Sequence, residues 1–369
     1  MASITQNPDT KKWEFVFDYY DNGKRKQVRR KGFKSKKEAN DKLVVLQKEV
    51  QDGEFVPINR DTLGDFMKYW LENIRIMECE KTSYYNNVLY LKNHIMPRIG
   101  NIKMQELSPI ICQNFVNDMH KCGYARNTID RVCTLIKLAL DKAVTFKYIK
   151  ENHMRKVTLP KKAKSELKVW TSIQANQFLE FTKEKRYFCV YALALLTGMR
   201  QGEILGLRWK DIDFEKKIIT VSQTLTHDGK TLKSGAKTVA GERTISMPQQ
   251  LVTILKNHRK KYVEFRMAAE DFVDEDLVIY NLKNGGVVFP ANLTATYIKN
   301  VKASGLPHIR FHDLRHTHAT MLIEKNVNVK VISERLGHSK VGVTLDVYSH
   351  VLPSMQQEVA DKLDEIISL

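Results

Sequence analysis

Cysteine is scarce in this 369-residue chain. Its five cysteines, Cys79, Cys112, Cys122, Cys133 and Cys189, are odd in number and show no Cys-x-x-Cys spacing. That argues against a disulfide framework and a cysteine-rich zinc site, and a reducing cytoplasm is the expected home. Long apolar runs are missing too: none approaches the roughly 18–20 residues that span a bilayer. Residues 1–8 have no basic segment leading an apolar one, so neither a membrane partner nor a signal peptide is expected. Acid is short relative to base, with 42 Asp and Glu against 60 Lys and Arg and a formal net charge of +18. Such an excess calls for a polyanionic partner, and nucleic acid is the first choice. Apolar residues are not lacking. At 43% they support sizeable cores, and the length predicts two or three domains.

The basic excess is uneven. Residues 11–37 carry eleven Lys or Arg against three Asp or Glu. Trp13, Phe15, Phe17 and Tyr19 alternate and predict one face of a strand, Asp21-Asn22-Gly23 a turn, and Lys24 to Lys31 a basic return strand. Ser35-Lys36-Lys37-Glu38 predicts a capping box opening a helix, with Ala39, Leu43, Leu46 and Val50 on one face. Residues 1–56 thus form a small α+β sheet-plus-helix module. Its candidate DNA contacts are Lys24, Arg25, Lys26, Arg29, Arg30 and Lys31; the bland alternative is a solvated basic hairpin.

Residues 61–158 read as an all-α bundle, with helices expected at 62–75, 82–96, 109–121 and 127–147. Pro97 and Gly100 should stop the second, Ser108-Pro109 start the third and Gly123 close it. Pro160 to Lys168 is charged and aperiodic, as a linker would be. A third domain, 167–369, is mainly α with some strand. Phe188 to Met199 fits a buried helix, Lys217 to Ser222 and Arg243 to Met247 fit strands with Asp228-Gly229 as the intervening turn, and helices resume at His312.

Several residues in this third domain carry chemistry. Thr197-Gly198-Met199-Arg200-Gln201-Gly202-Glu203 delivers Arg200 at a glycine-hinged turn, where an ion pair with Glu203 is the plainer reading. His312-Asp313-Leu314-Arg315 places His312 and Arg315 on one helical face, able to address one anion. His312 and His316 have a metal-compatible spacing, but the glutamate of His-Glu-x-x-His is absent, so no metal is expected. Ser234-Gly235-Ala236-Lys237-Thr238 fails as a phosphate-binding loop because Ala236 separates glycine from lysine. Tyr348 alone is the plainest of packed aromatics. After it, Val359, Leu363, Ile366 and Ile367 form an apolar stripe opposed by Glu358, Asp361, Asp364 and Glu365, the pattern of a short tail helix.

In chain order these elements read Arg200, Lys237, His312-x-x-Arg315, His338 and Tyr348, with His338 inside Leu-Gly-His-Ser and Tyr348 inside Tyr-Ser-His. The ordered set resembles the tyrosine recombinases, the phage and conjugative-element integrases, over roughly residues 170–355. The two upstream modules are similar in arrangement to the arm-binding and core-binding domains of three-domain integrases.

The resemblance implies a site-specific DNA recombinase that integrates and excises a mobile element. Tyr348 would attack a phosphodiester, leaving a 3′-phosphotyrosyl bond. Arg200, Arg315 and His338 would hold the phosphate, Lys237 would protonate the leaving 5′-oxygen, and His312 would assist the tyrosine's proton. No metal or other cofactor is then required. The resemblance also implies double-stranded DNA with core-type and arm-type sites, a tetramer of protomers on it, accessory proteins that bend DNA or set direction, and a place at the nucleoid of a bacterial cytoplasm. A type IB-like topoisomerase and a non-catalytic DNA-binding regulator are the alternatives.

Overall fold

The computed structural model describes residues 2–21, 23–162, 168–234, 243–337 and 342. The chain forms two compact units, Met1–Lys164 and Ser165–Leu369. Lys237, His338, Tyr348 and the tail at 354–369 lie outside the described residues.

The first unit opens with strands β1 (Ala2–Gln6), β2 (Trp13–Asp21) and β3 (Lys24–Phe33), antiparallel in that order, followed by α1 (Lys36–Gln51). The aromatic alternation does what a period of two requires. Phe15 and Tyr19 are buried with Val28, Ala39, Leu43, Leu46 and Phe55, and Trp13 and Phe17 pack against them. Two details differ from expectation. Strand β1 was not foreseen, because Ala-Ser-Ile-Thr-Gln has one bulky apolar residue and is held by its ladder to β2. The cap is also offset: Ser35 Oγ accepts from Glu38 N–H, but the Glu38 carboxylate reaches back to Lys34 N–H.

The bundle contains α2 (Leu63–Trp70), α3 (Lys81–Tyr90), α4 (Pro109–Lys121) and α5 (Arg126–Thr145). Wide π turns at Leu71–Arg75 and Leu91–Ile95 carry α2 on to Glu78 and α3 on to Ile99. Pro97 therefore does not stop its helix. The wide turn ahead of it lets the backbone pass a ring that would otherwise strike the carbonyl four residues back. Leu63, Phe66, Met67 and Trp70 of α2 meet Phe115, Val116 and Met119 of α4 and Ile129, Val132 and Ile136 of α5 in one core.

The second unit has α6 (Ser172–Thr182), α7 (Phe188–Thr197), the short α8 (Gln201–Leu205), strands β4 (Ile212–Asp213), β5 (Ile218–Val221), β6 (Gln223–Leu225), β7 (Leu232–Ser234) and β8 (Arg243–Ser246), then α9 (Gln249–Ala268), α10 (Pro290–Ala303), α11 (Asp313–Glu324) and α12 (Val329–Leu336). Strands β5 and β8 pair directly, Ile219 opposite Ile245, in a sheet ordered β4-β5-β8. The Asp228-Gly229 turn serves a separate hairpin, β6–β7, instead of joining the two strands expected to flank it. Helices α9 and α10 precede His312, where none was anticipated.

Helix α7 is apolar on every side and buried accordingly. It ends at Thr197 because Gly198 takes φ 70°, and a Cβ there would lie 2.6 Å from Leu336 Cδ2 and 2.8 Å from the His318 ring. Helix α12 ends the same way at Gly337, φ 68°, where a Cβ would sit 3.0 Å from Arg243 Cδ. Two helix C-termini, with their unpaired carbonyls, are thereby brought side by side.

Candidate active site

Three arginines from three separate segments close on the end of α12. Arg243 Nε donates to the carbonyl of Arg335 (2.8 Å), Arg315 Nη2 to that of Leu336 (2.6 Å), and Arg200 Nη2 to that of Gly337 (3.2 Å). Consecutive residues are about 3.8 Å apart, so the three guanidiniums gather within one turn of backbone. The cause is elementary. The last carbonyls of a helix lack partners and carry the negative end of its dipole, so cations are drawn there. Arg315 also donates through Nη1 to Gly198 O, 2.8 Å, and so ties the end of α7 to the end of α12. His338 is the next residue in sequence after Gly337.

Among the described residues Glu203 supplies the one carboxylate bonded to these cations. It accepts Arg200 Nη1 and the Arg200 backbone N–H, both at 2.8 Å, and a two-pronged pair from Arg243 at 2.8 and 3.1 Å. Burial alone would raise its pKa. The hydrogen bonds and charge of Arg243, with the charge and backbone N–H of Arg200, overcome burial and hold it at about 2. The plainer reading of Arg200 as an ion-pair partner is thus correct without being complete. Its side chain remains 41% exposed, against 6% for Arg243 and 9% for Glu203.

Burial disfavours the charged form of each described histidine here. Burial, then the charges of Arg315 and Arg200, lowers the pKa of His312 despite the opposing charge of Asp313. His316 meets it edge-on at 5.1 Å and is pushed to about 4, chiefly by burial. His318, also lowered to about 4 by burial and Arg335, pairs Nδ1 with Leu195 O at 2.8 Å and accepts Arg335 Nε on its other nitrogen. Arg335 continues to Leu196 O and Ser246 O. The end of α7 is therefore gripped by His318, Arg335 and Arg315 together. Among the described residues no three His, Cys, Asp or Glu side chains are grouped to hold a metal ion.

Of the six candidate catalytic residues, three are described, and Arg200, His312 and Arg315 come together. Lys237, His338 and Tyr348 lie outside the described residues. Arg243, His318 and Arg335 were not singled out from sequence. A single sequence carries no signal joining Arg243 to Glu203, forty residues away. The basic strand is less uniform than its composition. The register sets Lys31 opposite Glu14, with Arg29 and Arg25 one diagonal step from Glu14 and Asp18, so these three share one face of β3 and all three pair with carboxylates, Lys31 at 4.0 Å. Lys24, Lys26 and Arg30 alternate onto the other face, beside buried Val28. The six do not form a single basic surface.

Residues 168–355 match the phage integrase family, residues 62–120 the N-terminal SAM-like domain of phage integrases, and residues 3–50 the arm DNA-binding domain. The sequence is similar to a XerC-like tyrosine recombinase of Caldanaerobacter subterraneus subsp. tengcongensis, 30% identical over 353 residues and covering 90% of each chain. It is also similar to the ICEBs1 integrase of Bacillus subtilis, 29% identical over 305 residues, covering 80% of this chain and 82% of that one. The fold matches the Tn1549 transposon integrase solved with transposon right-end DNA, with TM-score 0.69, 20% identity, and coverage of 80% of this chain and 99% of that one. A lambda integrase dimer bound to a COC′ core site matches at TM-score 0.60 and 15% identity, covering 92% of each chain.

The Glu203 geometry predicts a specific acid sensitivity. Its pKa falls from the usual 4.5 to about 2 on folding, so its stabilisation is complete above pH 4.5 and is lost as the pH drops towards 2. The full effect is roughly 3 kcal/mol. Urea denaturation from pH 7 to pH 3 should show the advantage of wild type over Glu203→Gln shrinking below pH 4.5. A difference that stays constant across that range would remove the ion pair from the account.

Proposed function

The chain belongs to the phage integrase family, a tyrosine recombinase of the mobile-element integrases, and from that membership we propose how its residues cut and rejoin DNA. The carrying observation is that Arg200 and Arg315, from motifs far apart in sequence, are seated on adjacent carbonyls immediately before His338. Two guanidiniums so placed suit the non-bridging oxygens of one phosphate, where charge builds as phosphorus becomes five-coordinate. His338 adds a third donor. Tyr348 Oη attacks phosphorus, its bond to the 5′-oxygen breaks, and a 3′-phosphotyrosyl link remains. A phenol of pKa about 10 needs help to do this at neutral pH. His312, whose charged form burial disfavours, has in its neutral form a ring nitrogen that can accept the phenolic proton. Lys237 gives a proton to the departing 5′-oxygen. Attack by a 5′-hydroxyl reverses the sequence and rejoins the strand, and the stored ester bond makes ATP unnecessary.

Cations held by the fold do here what Mg²⁺ does in many phosphoryl transfers. We assign residues 167–369 to this chemistry, 61–158 to core-type sites on double-stranded DNA and 1–56 to arm-type sites. Exchange of strands between two duplexes calls for further protomers, as a tetramer, with DNA-bending and direction-setting proteins as accessories. We place this action on DNA at the nucleoid of a bacterial cytoplasm. No described helix is long and apolar enough to cross a membrane.

Two experiments test these assignments. On a nicked duplex that traps the covalent adduct, wild type should form adduct in EDTA without nucleotide, and Tyr348→Phe should bind the DNA but form none. Adduct at wild-type yield from Tyr348→Phe would overturn the nucleophile, and a strict Mg²⁺ requirement for cleavage would overturn the electrostatic account. Deleting residues 1–55 should abolish binding to a second, distal class of sites while leaving weak core cleavage. The lost affinity should be steeply salt-dependent, as counterion release requires; unchanged distal binding would return the module to a solvated hairpin.

A further inference from the structure

Arg243 does not belong to the ordered set of motif residues, yet its side chain makes three hydrogen bonds at this site against two from the side chain of Arg200. It is the first described residue after the segment that contains Lys237. Its Nη1 and Nη2 take both oxygens of Glu203, and its Nε takes the Arg335 carbonyl. Each of its three guanidinium nitrogens already donates to Glu203 or to the Arg335 carbonyl, and only 6% of its side chain is exposed. Whatever Arg243 does for the reaction it does through its neighbours.

We propose that Arg243 is the positioning residue of the phosphate clamp, holding Arg200 in place through Glu203 and the turn leading into His338 through the Arg335 carbonyl. The hydrogen-bond count supports this. With both Arg243 prongs present, Glu203 has room for one side-chain N–H of Arg200, and Gly337 O takes a second. A guanidinium has five N–H donors, so three are left by its bonds to the described residues. Without Arg243, both carboxylate oxygens become open to Arg200, and a two-pronged Arg200–Glu203 pair would turn the guanidinium away from the phosphate. The Arg335 carbonyl would lose its partner as well, loosening the same turn from its other side.

This inference rests on the reading of Arg200 as a phosphate ligand, and the test separates the two. Single-turnover cleavage is compared on a normal trapping substrate and on one with a methylphosphonate at the scissile position. The methyl group removes the negative charge that a guanidinium would balance. Arg200→Ala should lose most of its rate on phosphate and recover much of it on methylphosphonate. Arg243→Gln should bind DNA as wild type does and lose about 100-fold on phosphate, the scale on which a small misplacement of a reacting group is felt. It should show the same recovery, and in combination with Arg200→Ala it should add little further loss. If Arg243→Gln does not stay folded at the assay temperature, Arg243→Lys carries the same comparison, because one ammonium cannot reproduce the fork on Glu203 and the bond to Arg335 together. Equal losses on both substrates, or losses that multiply in the double variant while Arg200→Ala alone is rescued, would overturn the role of Arg243. Absence of rescue in Arg200→Ala would overturn the phosphate-ligand reading and this inference with it.

Discussion

The carbonyls of residues 335 to 337 are the point on which the second unit depends. A helix ends there, and its unpaired acceptors are filled by guanidiniums from β8, α11 and the turn before α8. The bonds satisfy the backbone and fix the cations at once. The two buried ones, Arg243 and Arg315, would each cost several kcal/mol to desolvate unpaired. Each is instead given an oxygen that the fold had to satisfy in any case. Gly198 and Gly337 make the arrangement sterically feasible, since a side chain at either would push α7, α12 and Arg243 apart.

The same economy governs the charges. Glu203 is the single carboxylate shared by Arg200 and Arg243, and burial keeps water from replacing it. Asp313 is held by Arg310, and burial disfavours the charged forms of His312 and His318. The result is a cluster whose net positive charge points outward at half-exposed Arg200. In the proposed reaction a phosphodiester would bring the charge the cluster lacks, to donors that have already lost their freedom to reorient.

Much of this was legible in sequence, and the limits have physical reasons. Arg200 and the His312–Arg315 pair announce themselves because they are local: a glycine that ends a helix, and two residues one turn apart. The aromatic strand was legible because period-two burial is also local. Arg243, His318 and Arg335 act across 92, 123 and 139 residues of sequence and touch backbone carbonyls, which have no letter of their own. The split of the basic strand followed from Glu14 and Asp18 on its neighbour, and composition alone merges the two faces. Strand β1 is stabilised by pairing more than by its own residues. Helix α9 buries only Leu251, Val252, Leu255 and Tyr262 in twenty residues, a thin stripe among lysines.

The proposed phosphate clamp is locked before DNA arrives, and the guanidinium of Arg315 reports on it directly. Nitrogen-15 NMR of the DNA-free protein, assigned with Arg315→Lys, should give two separate Nη resonances. Hydrogen bonds to Gly198 O and Leu336 O would hold the two nitrogens in distinct places and slow their exchange. Those two resonances should persist when core-site DNA is added. A single averaged Nη signal in the free protein that separates only on DNA binding would contradict the account, since the clamp would then be built by its ligand.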